Sequence, residues 1–385
     1  MLLNLDKFFR ETLYLLLALY FSQGALYETG SIIGKLALLL ILLICFFYFF
    51  KTLIIKSKKP LFYYILVLFI FMNILGFIIT GNYREVEFSQ IKSIFTALLP
   101  FFPFYYFSYK NNLNKNDLLR FFCIMLPITI LIFYSNIINT LSSRVGGGED
   151  VVSNTSYLFV MLMPYIFFWH KKIFSNVSLI LLLYFVILGS KRGALLILLI
   201  GILFFLIYQV LKVEPKKRLI SLFVTGLFSG VVGYISYLFY LSNEFFVNRW
   251  QEVEEGGSGR DLIYSNIFNS WYNSDNILNF LFGYGFMTSV QYSGSNNLAH
   301  NDWLEVLINF GFFGFLVYFL LIISLFIFVF DKNKNFTFRF VILLMIFMWV
   351  LKSLFSMYYM ALSGAISFIL IGYILGQGGS RKTTS

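Results

Sequence analysis

The chain has 385 residues, of which 59% are hydrophobic and 12% charged, with a mean hydropathy of +0.81. A soluble domain carries roughly 45–50% apolar and about 25% charged residues, so a water-soluble globule is excluded and an all-α polytopic membrane protein is expected. The formal net charge of +11 would suggest nucleic acid in a soluble chain; here the question is which side of the membrane holds the charges.

A membrane-crossing helix needs roughly 20 apolar residues. The sequence predicts about twelve transmembrane helices, near residues 11–27, 32–50, 60–80, 91–109, 118–138, 154–170, 173–189, 193–211, 219–241, 303–330, 337–351 and 359–376. The first run lacks a small-residue cleavage site and reads as a span rather than a signal peptide. Pro100, Pro103, Pro127 and Pro164 fall inside spans, where kinks are tolerated. Cys45 and Cys123 sit in apolar runs, as core or lipid-facing residues without a disulfide framework. With two histidines, His170 and His300, no metal site is expected.

With this arrangement 20 of the 29 cations fall on one side, and 13 of the 18 acids on the other. The positive-inside rule then puts both termini in the cytoplasm, and the basic charge is a matter of topology, with no nucleic-acid partner implied. Cytoplasmic connections are short, and no GxxxxGK[ST] phosphate loop exists. The chain reads as one membrane domain, 1–385, with a large outer loop, 242–302, that carries short helices and part of the site. A second outer loop, Asn139 to Asn154, contains Gly146-Gly147-Gly148.

Three outer stretches carry candidate chemistry. The first is Gly189-Ser190-Lys191-Arg192-Gly193, with two cations at a span boundary; such residues serve a function or snorkel to the interface. In the second, Gly256-Gly257 ends a polar run from Asn243 to Glu255, and Ser258 stands three residues before Asp261, a capping pattern that opens a helix. Leu262, Ile263, Ile267, Phe268 and Trp271 give that helix an apolar face for the membrane or the bundle. Arg260 lies in its first turn, where a cation opposes the helix dipole unless an anion binds there; the plain alternative is a solvated arginine beside Asp261 or Glu255. The third runs from Asn297 to Glu305 through His300-Asn301-Asp302. His300 can act as a general base or cap a helix, and Asp302 and Glu305 can orient it. His170, beside Lys171-Lys172, reads as interfacial.

Paired guanidiniums suit a diphosphate, and a nearby base suits an attacking hydroxyl. The combination points to glycosyl transfer from a lipid diphosphate. It also resembles a known family. His300-Asn301 followed by Gly311-Phe312-Phe313-Gly314 is similar to the His-Asn and Gly-x-x-Gly signature of the bacterial O-antigen ligase and polysaccharide polymerase superfamily. Gly283-Tyr284-Gly285, Gly259-Arg260 and Ser190-Lys191-Arg192-Gly193 stand in the same order, and the resemblance covers about Ile180 to Phe330.

The resemblance implies a metal-independent, cofactor-free transferase of the bacterial inner membrane, with its site facing the periplasm. Its donor would be an undecaprenyl-diphosphate-linked oligosaccharide. Arg192 and Arg260 would hold the diphosphate, and His300 would serve the acceptor hydroxyl. Lys191, Asn301, Asp302 and Arg144 are further candidate substrate contacts. Gly311 and Gly314 would permit close helix packing. Phe315 and the Gly-Ser-Gly-Arg loop favour a polymerase of repeat units over the alternative, a ligase that moves finished polysaccharide to lipid A-core. The acceptor would then be a second lipid-linked unit, and a chain-length regulator is a candidate partner. A lipid-linked oligosaccharide transporter is the third reading, disfavoured because charged residues lie near the span ends.

Overall fold

The computed structural model describes residues 5–56, 58–81, 83–142, 152–220, 260–295 and 297–377, with isolated positions between 222 and 238. The described residues form an all-α bundle of fifteen α-helices, here numbered in chain order. The first nine are α1 (Leu5–Phe21), α2 (Ile32–Ile54), α3 (Leu61–Thr80), α4 (Glu85–Leu98), α5 (Phe101–Tyr109), α6 (Lys115–Ser142), α7 (Ser156–Leu162), α8 (Lys172–Leu188) and α9 (Arg192–Lys212). Three short helices follow, α10 (Arg260–Tyr272), α11 (Ile277–Phe282) and α12 (Ser289–Tyr292), then α13 (Asp302–Phe330), α14 (Phe336–Phe355) and α15 (Ser363–Gln377).

Six of these helices, α2, α3, α6, α9, α13 and α14, are long and apolar enough to cross a membrane, and Ser156–Phe168, α8 and α15 are shorter apolar helices. The expected fourth span is two helices, because Pro100 cannot donate to the helical ladder and its ring crowds the preceding turn; α4 stops at Leu98 and α5 resumes at Phe101. The expected sixth span likewise turns from α7 into a 3-10 helix, Met163–Phe168, at Pro164. Pro127, by contrast, lies inside the continuous α6. The first helix lies several residues earlier than expected and begins with Asp6, Lys7 and Arg10. The expected span 219–241 lies for the most part outside the described residues.

Helix starts are set by local chemistry. Ser31 Oγ caps α2 by accepting from Gly34 N–H. Asn114 and Asp117 form a reciprocal cap at α6, each side chain accepting from the other's N–H at 3.0 and 2.9 Å. At the centre stands α15, all of whose residues but Gln377 are buried. A Cβ at Gly372 would meet Phe101 O at 2.5 Å, and one at Gly376 would meet Tyr105 O at the same distance, so small residues let α15 lie backbone to backbone on α5. Leu36, Leu39, Leu43, Phe47 and Phe50 of α2 are exposed, an apolar surface far larger than a soluble monomer tolerates. Cys45 is buried and Cys123 exposed, both free.

Polar contacts sort the helix ends into two groups. At one end, Arg10 of α1 is buried against Asp117 of α6 at 2.8 Å, Asp6 accepts from Tyr48 of α2 at 2.9 Å, and Gln377 of α15 donates to Leu113 O at 3.4 Å. Tyr208 near the end of α9 meets Thr337 near the start of α14 at 2.8 Å. The starts of α1, α6 and α14 thus share an end with the close of α2, α9 and α15. At the opposite end, the starts of α9, α10 and α13 meet the close of α14.

Candidate active site

The site is built on the start of α13. Asn301 caps this helix, its Oδ1 accepting from Trp303 N–H at 3.0 Å and Leu304 N–H at 3.3 Å. One residue earlier, His300 takes a left-handed backbone, φ +51°, which is uncommon outside glycine and recurs at functional sites. Glu305, fully buried, accepts Ala299 N–H at 2.6 Å and so ties the segment before His300 to the helix. Glu305 therefore acts on the backbone beside the imidazole, not on the ring.

Arg260 opens α10, which packs its Ile267 and Trp271 against Ala299, Leu307 and Ile308. Ile263 packs beside them, while Leu262 and Phe268 are exposed. Arg260 Nη1 donates to Phe355 O at 2.9 Å. Among the described residues it makes no ion pair, with Asp261 or any other acid; Glu255 lies outside them. Asn301 Nδ2 donates to the neighbouring Leu354 O at 3.4 Å, and Tyr264 OH reaches the same oxygen at 3.5 Å. The close of α14 is thus the common seat of Arg260 and of the helix cap beside His300.

The Lys191-Arg192 boundary reaches the same place. Ser190 is left-handed, φ +47°, Lys191 is the extended residue before α9, and Arg192 is its first residue. A Cβ on Gly193 would stand 2.6 Å from Tyr157 OH and 3.3 Å from Phe355 Cβ, so the first turn of α9 abuts Tyr157 and the close of α14. Lys191 Nζ lies 6.0 Å from the Tyr157 ring centroid, with Lys352 Nζ 5.2 Å from that same centroid. His300 senses this company. Partial burial, then Arg260, then Lys191 push its pKa below the ordinary imidazole value, so the neutral ring, able to accept a proton, is favoured.

The structure thus gathers His300, Asn301, Arg260, Lys191 and the backbone of Arg192 around one turn. Two expected substrate contacts fare differently. Asp302 is fully buried; its Oδ2 accepts Tyr318 OH at 3.0 Å and Tyr358 N–H at 2.8 Å, so it supports the site from beneath and cannot touch a substrate at the surface. Arg144 and the Gly146 to Gly148 run lie outside the described residues, as do Gly256 to Gly259. Sequence reasoning missed Tyr157, Tyr264 and the structural use of Lys352. The signal for Lys352 was a lysine one residue past an apolar run.

The glycine pair permits close packing, and Gly311 does more than that. Gly311 takes φ +65° and ψ −162° inside α13, breaking it. Tyr284 N–H and Gly285 N–H donate to Ile308 O at 2.9 Å and Asn309 O at 3.1 Å, carbonyls that the break releases from the helical ladder. A Cβ at Gly311 would lie 2.4 Å from Leu281 C, and one at Gly283 would lie 2.4 Å from Asn309 C. Gly283-Tyr284-Gly285 is therefore the segment that closes on the break. Gly314 has a local task, making room for Phe310 in the preceding turn. Phe315, read from sequence as a mark of the acceptor, packs on Trp303 with ring centroids 5.7 Å apart.

No curated protein matches the chain. Residues 177–319 match the family model described as O-antigen ligase, a stretch that contains Lys191, Arg192, Arg260, His300 and both glycines of the Gly311-x-x-Gly314 pair.

Proposed function

We propose that the chain is a glycosyltransferase that moves a glycan from a polyprenyl diphosphate to an acceptor hydroxyl on the outer face of the bacterial inner membrane. The observation that carries this reading is the gathering of His300, Arg260 and Lys191, three residues of the matched stretch, at the close of α14. The acceptor oxygen attacks the anomeric carbon as its proton passes to the neutral His300. The bond from that carbon to the diphosphate oxygen breaks, and the charge gained by the leaving diphosphate is met by Arg260 and Arg192. Attack opposite the leaving group inverts the anomeric configuration.

The matched family favours the ligase form of this reaction, with lipid A-core as acceptor, over polymerisation. The preference for a polymerase drawn from Phe315 and the Gly-Ser-Gly-Arg loop has no such support from the family match. The direct test uses the full chain in liposomes with an undecaprenyl-diphosphate-linked glycan. Arg192→Ala, Arg260→Ala and His300→Ala should each lower transfer at least tenfold; full transfer by all three would refute the site. A deletion strain separates the acceptors. Bare core with accumulated lipid-linked polymer marks a ligase, and single capped repeat units mark a polymerase.

A further inference from the structure

Asp302 and Lys352 are both buried, at 0% and 1% exposure, just beneath the His300 segment. Buried ionisable groups are costly unless hydrogen-bonded, and neither can reach a substrate from there. What they bind is one turn. Asp302 Oδ2 accepts Tyr358 N–H at 2.8 Å and Tyr359 N–H at 3.4 Å. Lys352 Nζ donates to Met357 O at 2.6 Å and to Ser363 Oγ at 2.8 Å. Tyr318 OH donates to Asp302 and is fixed in turn by Trp349 Nε1 at 2.8 Å.

The same turn is gripped from the other side by the site. Phe355 O accepts Arg260 Nη1, and Leu354 O accepts Asn301 Nδ2. Residues 354–359 therefore form a plate with Arg260 and the His300 cap on its outer surface and Asp302 and Lys352 on its inner one. Asp302 follows His300 by two residues, so the helix start that carries the base also grips the plate that carries the arginine.

We propose that Asp302 and Lys352 are positioning residues which fix Arg260 relative to His300 through the 354–359 turn. The importance of that spacing rests on the glycosyl-transfer reading; the spacing itself is measurable without transfer. Among the described residues, the charged groups that act on His300 are Arg260 from α10 and Lys191 before α9. If the turn loosens, Arg260 recedes and the imidazole titrates closer to its ordinary value of about 6.5.

The test uses the full chain in lipid nanodiscs. His170→Gln leaves His300 as the one histidine, and its titration is followed by NMR of labelled imidazole. In this background the pKa should lie below the ordinary value. Asp302→Asn should raise it in the direction that Arg260→Ala does, and should lower kcat for transfer from an undecaprenyl-diphosphate-linked glycan about tenfold or more. A folded Asp302→Asn protein whose His300 titration is unchanged overturns the proposal, whatever its thermal stability, because a merely structural role would lower stability without moving the imidazole. Should Asp302→Asn fail to fold, Tyr318→Phe, which removes one donor and keeps the charge, is read by the same titration, and no shift there also overturns it. Transfer that survives in His300→Ala while the titrations shift as expected sinks the functional reading and leaves the positioning intact.

Discussion

Gly311→Ala should destabilise the protein more than any other alanine substitution of a glycine in α13. Its φ of +65° with ψ of −162° lies in a region essentially reserved for glycine, at a strain of about 1–3 kcal/mol for another residue. The new Cβ would also stand 2.4 Å from Leu281 C and 2.5 Å from Gly283 N. Both are backbone atoms of a segment held by two hydrogen bonds, so they cannot swing away as a side-chain tip would. Overpacking of that kind adds about 1–3 kcal/mol, for a total of roughly 2–6 kcal/mol. Gly30→Ala isolates the strain: φ is +80° and nothing lies within 4 Å of the added atom, so a loss of only about 1 kcal/mol is expected. The assay is chemical unfolding in detergent, followed through tryptophan fluorescence. If Gly311→Ala and Gly30→Ala differ by less than about 0.5 kcal/mol, a difference within the ordinary scatter of surface substitutions, the interlock of α13 with 281–285 is refuted.

The pH dependence of transfer should show an acid limb below the ordinary histidine range of about 6.5, because burial, Arg260 and Lys191 lower the His300 pKa; His300→Gln should remove the limb along with most activity. The sign for stability is the same. The folded state binds fewer protons at His300 than the unfolded chain, so this contribution is present above about 6.5 and is lost as pH falls through the folded-state value. Arg260→Lys keeps the charge but loses the fork that grips a diphosphate in two places, and a fall of about tenfold or more in kcat/KM is expected, read in the liposome assay. At the far end of the bundle, Asp117→Asn removes the buried partner of Arg10, both side chains being 5% exposed, but Arg10 keeps Glu11 at 2.6 Å and Asn112 O; the loss should therefore fall below the roughly 3–5 kcal/mol of a fully stranded buried charge, and Glu11→Gln added to Asp117→Asn should deepen it in the same unfolding assay.

The membrane class and most helices were legible because apolar runs of membrane length have few other uses. What the runs hid were their interruptions. The stretch 91–109 is as apolar as its neighbours, and only Pro100 marks the point where α4 and α5 part. The cations and the histidine of the candidate site stood out in the sequence, because charge at the edge of an apolar chain needs a reason. The roles of Asp302 and Glu305 were not, since a carboxylate reads alike in sequence whether it faces a substrate or an orphan N–H. Tyr157 and the close of α14 were invisible for a different cause. They enter the site through contacts with residues more than 30 positions away along the chain, which no local pattern encodes.

The start of α13 shows why a chain so poor in charge places acids within its core. Asp302, Glu305 and Asn309 fall at helical spacing on one inward stripe, each at 0% exposure. Each takes backbone N–H from a different irregular segment: Asp302 from Tyr358 and Tyr359, Glu305 from Ala299, and Asn309 from Thr288 at 3.0 Å. Non-helical backbone buried away from water survives only where protein groups satisfy its N–H and C=O. The His300 segment, the 354–359 turn and the loop after Gly285 are such backbone, and they are also the parts that must be irregular to bring His300, Arg260 and the Gly311 break together. The buried Asp302, Glu305 and Asn309 are thus what allow the loops of the candidate site to stand on apolar helices. A substitution among them should disturb the particular loop each one holds before it disturbs the bundle.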